Sequence, residues 1–85
     1  MSELISGEIQ TADITELITE LNNNKNKLFR FVFDRYGNGY RFTIENVDDK
    51  DQKKIYKIID KHLKTHRGKV KREKNGITTD EVSYP

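Results

Sequence analysis

Residues 29 to 44 alternate so strictly that few folds are open to them. Phe29, Phe31 and Phe33 recur at every second position, and so do Tyr40, Phe42 and Ile44. A period of two places each set on one face of an extended strand. Tyr36-Gly37-Asn38-Gly39 between them is a glycine-rich turn, so strands are expected from Lys27 to Arg35 and from Tyr40 to Val47, joined as an antiparallel hairpin. With Gly37-Asn38 as a two-residue turn, Phe33 faces Phe42, Phe31 faces Ile44, Arg30 faces Glu45 and Asp34 faces Arg41. Moving the turn to Asn38-Gly39 keeps the faces but sets Asp34 against Thr43 and Val32 against Glu45. Both charge pairs are then lost, so the first register is the expected one.

The hairpin's second face carries Leu28, Val32, Tyr36 and Val47 among Arg30, Asp34, Arg41, Thr43 and Glu45. That is too apolar for a fully wetted surface. The N-terminal leader or the C-terminal tail is expected to cover it, or else a partner or second copy does. Arg30, Val32, Tyr36 and Arg41 are the candidate protein contacts, and exposed strand edges permit β-addition between chains.

Two helices flank the hairpin. Asp13 with Glu16 forms a capping pair, and Ile14, Leu17, Ile18 and Leu21 follow at i, i+3, i+4 and i+7. Asn22-Asn23-Asn24 ends that helix, because asparagine tolerates the left-handed region and bonds its own backbone. A second helix is expected from Asp49 to Arg67, with Asp49 and Gln52 spaced as a capping box. Ile55, Ile58, Ile59, His62, Leu63 and His66 make its inward face, and Gly68 suits the C′ position. Leu4, Ile5, Gly7 and Ile9 suit a leading strand or an arm; Asn75-Gly76 suits either a second hairpin or a mobile tail. The expected fold is therefore an α+β domain over residues 1–68. It comprises a helix, a two-stranded antiparallel hairpin that an N- or C-terminal strand could extend, and a second helix. A basic-to-acidic polar tail follows over 69–85.

The core must be thin, since only 33% of the 85 residues are hydrophobic and the mean hydropathy is −0.91. No cysteine is present to staple it, which leaves a bound partner or homodimer as the way to add buried surface. The first 24 residues hold five acids and no base, and every apolar run is short. No export signal, no membrane and a cytoplasmic location are expected. Met1 and Pro85 read as the ends of a complete small reading frame. The Lys, Asn and Ile bias fits an AT-rich genome, such as that of a low-GC bacterium, its phage or another mobile element.

A net charge of +2 conceals a strong segregation: residues 50–74 hold eleven bases against three acids. With Ile55 as zero on a helical wheel, Lys50, Lys53, Lys54, Lys57, Lys61 and Lys64 fall between about 160° and 260°, opposite the apolar face. Arg67, Lys69, Lys71 and Arg72 continue the basic run. Such a stripe suits a nucleic-acid backbone or an acidic protein surface, and equally serves to solvate a helix. Lysine rather than arginine on the helix argues against base-specific reading.

No catalytic constellation is present: the serines lie at the termini, there is no cysteine, and the paired carboxylates are helix caps. His62 and His66 have chelating spacing but no third ligand, so neither a metal nor another cofactor is expected. Gly37-Asn38-Gly39 lacks the lysine and following helix of a phosphate loop. In size and element order the chain resembles small phage proteins that inhibit host enzymes, anti-CRISPR inhibitors among them; that resemblance implies no site residues. The expected function is non-enzymatic binding of nucleic acid through the lysine-striped helix. The alternative is an inhibitor or adaptor that binds protein through the hairpin and helix faces.

Overall fold

The computed structural model describes residues 2–23 and 29–85; Asn24, Lys27 and Leu28, which figure in the expected elements, lie outside them. The elements run β1 (Ser2–Ile9), α1 (Thr15–Asn23), β2 (Arg30–Tyr36), β3 (Gly39–Asp48), α2 (Gln52–His66), β4 (Gly68–Lys74) and β5 (Ile77–Tyr84). All five strands join one antiparallel sheet in the order β2-β3-β1-β4-β5. The expected two-stranded hairpin is thus one part of a five-stranded sheet, and the expected polar tail forms two of its strands. The first six elements make two β-α-β units, and each leaves a gap that a strand of the other fills: β3 between β1 and β2, β1 between β3 and β4.

Composition concealed the last two strands for a physical reason. Only one face of β4 meets α2, and the residues on it are Gly68, Val70, Arg72 and Lys74. Two are long cations that reach groups of α2 and the turn before it, Arg72 over the Tyr56 ring and onto Gln52 and Lys74 onto Asp49, so this face packs inward without reading as hydrophobic. The leader occupies the centre of the sheet, with Ile5 and Ile9 fully buried, and does not lie over the hairpin's outer face.

The β2–β3 register is the expected one, with Arg30 opposite Glu45, Phe31 opposite Ile44, Phe33 opposite Phe42 and Asp34 opposite Arg41. Gly37 has φ +60°, as the first central residue of a II′ turn requires. Beyond Glu45 the alternation breaks. The β1–β3 register shifts between Glu3 and Ile5, and Asn46 takes φ +63°, the signature of a bulge. The extra residue turns Val47 inward to 0% exposure, correcting its expected outward position.

Both helices pack on one face of the sheet. Leu17 and Leu21 of α1 and Ile55, Ile59 and Leu63 of α2 meet Ile5, Phe42, Ile44 and Val70 in a single core. Asp13 accepts a hydrogen bond from the Thr15 N–H at 2.9 Å and so starts α1 as expected. The capping box expected for α2 does not form. Its N-cap is Asp51, without a side-chain bond, while Asp49 accepts from Lys74 Nζ at 3.0 Å and Gln52 Oε1 from Arg72 at 2.6 Å. Cations of β4 have taken the side chains that local spacing assigned to the cap.

Candidate nucleic-acid interface

Burial of Ile55, Ile58, Ile59 and Leu63 against the core turns the opposite face of α2 outward. Lys53, Lys54, Lys57, Lys61 and Lys64 all lie exposed on that ridge. Lys50 is exposed in the turn before the helix, not on its stripe. Lys61 binds Glu20 of α1 at 2.6 Å, and Lys64 approaches Asp60 at 3.8 Å. Among the described residues, Lys50, Lys53, Lys54 and Lys57 have no carboxylate within 4.0 Å. They form a basic surface without a counter-charge of its own. Its flank is neutralised: Lys61, and after it His62 at 2.7 Å, hold the Glu20 carboxyl below the usual carboxylate range. Of the N-terminal acids, Glu20 thus lies beside the basic helix.

The remaining basic positions diverge. Arg67 is exposed at the C-cap of α2, with φ +70°. Lys69 and Lys71 lie on the opposite face of the sheet, 4.0 Å from Glu8 and 3.8 Å from Glu73. Arg72 leaves the surface altogether. Its Nε and one terminal nitrogen each donate to Glu3 at 3.2 Å, and the same terminal nitrogen donates to Gln52. Its guanidinium lies 5.3 Å from the centre of the Tyr56 ring and 3.7 Å from Asp80. Glu3 is only 4% exposed, so this cation compensates a buried charge and is not presented to a phosphate. No short-range pattern marks a pair 69 residues apart.

His62 is engaged with Glu20, and His66 lines a small polar pocket with Thr11, Asp13 and Glu16. Among the described residues no three His, Cys, Asp or Glu side chains converge as metal ligands, and no helix is long and apolar enough to cross a membrane.

The hairpin candidates do share one face, the one the helices leave open. Arg30 pairs with Glu45 at 3.1 Å, and Arg41 lies 4.6 Å over the Tyr36 ring. Val32 is 50% exposed and Tyr36 44%. Comparison of the chain with protein-family models, with curated proteins and with solved structures returned no match.

Proposed function

We propose that the protein binds the sugar–phosphate backbone of nucleic acid along the outer ridge of α2. The observation that supports this reading is the set Lys53, Lys54 and Lys57, exposed side by side with no carboxylate within 4.0 Å among the described residues. Each ammonium that neutralises a phosphate releases condensed counterions, which makes binding salt-dependent and tolerant of sequence. Engagement of about three to five phosphates gives a log–log salt slope of roughly −2.7 to −4.5, or about a 40- to 500-fold loss of affinity from 50 to 200 mM salt. Lys53→Glu/Lys54→Glu/Lys57→Glu abolishes binding without touching an internal ion pair. Titration of labelled duplex and single strands at both salt concentrations checks this. No complex at micromolar protein and low salt would sink the reading.

A second reading, an inhibitor or adaptor that binds a protein, is favoured by the grouping of Arg30, Val32, Tyr36 and Arg41 on one open face. A nuclease-treated pull-down separates the two. A stoichiometric protein partner that survives nuclease, and is lost with Tyr36→Glu, supports the second.

A further inference from the structure

β2 forms one edge of the sheet, with no strand beyond it among the described residues. A two-residue turn makes Tyr36 and Gly39 a hydrogen-bonded pair, so alternate residues Arg30, Val32 and Asp34 direct their peptide groups to β3, and Phe31, Phe33 and Arg35 direct theirs outward. We propose that a second copy of the chain pairs antiparallel with this edge, about a two-fold axis at Val32, and joins two five-stranded sheets into one.

The charges select this register. With Val32 facing its own copy, Arg30 faces the partner's Asp34, and symmetry supplies the reciprocal pair. Within one chain the cross-strand row Asp34–Arg41–Glu8–Lys69 already alternates in sign. Pairing about Val32 extends it: Glu45, Arg30, the partner's Asp34, the partner's Arg41. Moving the axis to Phe31 sets Val32 against the partner's Arg30, and moving it to Phe33 sets Val32 against the partner's Asp34. Either shift buries a charge against an exposed valine and breaks the row.

Packing agrees. The Val32 pair is of the non-hydrogen-bonded kind, whose side chains approach most closely, and it gives a half-exposed valine an apolar mate. On the helical face Phe31 meets the partner's Phe33. The two edges of the sheet also differ in their protection. β5 carries a register shift opposite Arg72 and Glu73, whereas β2 runs regularly and has no proline, lysine or bulge to repel another strand. The axis stands perpendicular to the sheet, so both α2 ridges lie on one side of the dimer. The inference does not depend on what those ridges bind.

Sedimentation equilibrium from micromolar to sub-millimolar protein should show a monomer–dimer equilibrium. Arg30→Glu and Asp34→Arg each place like charges at both symmetric contacts, and each alone weakens dimerisation by about tenfold. An equimolar mixture of the two variants restores it, because each chain then supplies the charge the other lacks. That rescue also excludes loss of folding as the cause of either defect. The chain has no cysteine, so Val32→Cys should form a dimeric disulfide under mild oxidation, the facing Cα atoms lying about 4.5 Å apart. Tyr36→Cys should not, since its copy lies roughly 27 Å away. A wild type that stays monomeric, a mixture no tighter than its components, or equal crosslinking by both cysteines overturns the proposal.

Discussion

At the scale of single residues, the least compensated group is the Tyr56 hydroxyl. It is buried and, among the described residues, meets no hydrogen-bond partner. Burial first, and then the negative charges of Asp80 and Asp60, push its pKa up to about 12. The consequence for stability has a definite sign. Between the ordinary value of 10.0 and about 12 the unfolded chain has lost this proton and the folded chain has kept it, so stability falls as pH rises through that window. Tyr56→Phe retains the ring beneath Arg72 and deletes the unpartnered hydroxyl. We expect it to raise stability by about 1 kcal/mol at pH 7 and to flatten the alkaline loss. Urea unfolding at pH 7 and pH 11 measures both; a less stable variant at pH 7 would mean that the hydroxyl is bonded in solution. Neither this group nor the Glu3–Arg72 pair was legible in the sequence, because a burial site is created by elements distant along the chain.

At the scale of elements, local chemistry was a good guide where no distant side chain competes for the same atoms, as in the β2–β3 hairpin and at the start of α1. The β2–β3 register followed from one turn and two charge pairs, whereas Asn75-Gly76, which in the sequence suits a turn or a mobile tail alike, closes β4–β5 as a I′ turn at φ +57° and +80°. Caps and bulges were less legible, because they depend on what else competes for the same atoms. The close approach of β1 to β4 makes a sharper test. A Cβ on Gly7 would stand 2.0 Å from the Lys69 carbonyl oxygen and 2.9 Å from the Val70 Cα, both backbone atoms that cannot rotate aside. Gly7→Ala should therefore cost about 3 kcal/mol, read as a lower urea midpoint with an unchanged slope. A neutral effect would mean that the central seam is looser than described.

At the scale of the whole molecule, the outcome turned on the last eighteen residues, 68–85. They supply Val70 to the core, Arg72 to the buried Glu3, and through Tyr84 a 2.7 Å hydrogen bond to Asp60 of α2. A chain ending at Arg67 keeps every element anticipated as the domain, yet it leaves Glu3 without a counter-charge and one side of β1 without a neighbour. We expect it to show no cooperative thermal transition by circular dichroism, whereas the full chain does; a folded, cooperative 1–67 fragment would contradict this. By itself the sequence determined the alternating hairpin, both amphipathic helices and the outward lysines of α2, which depend on periodicities within a few residues, and the hairpin register, which depends on one turn and the charge pairs it aligns. Tertiary structure decided the sheet of five strands, the inward turn of Val47 and the division of the basic residues. It left Lys53, Lys54 and Lys57 on an exposed ridge, placed Lys69 and Lys71 on the opposite face, and drew Arg72 inside. A charge run is one feature in the sequence, but a strand alternates its faces and a buried carboxylate must be neutralised, so the fold distributes that run over three environments.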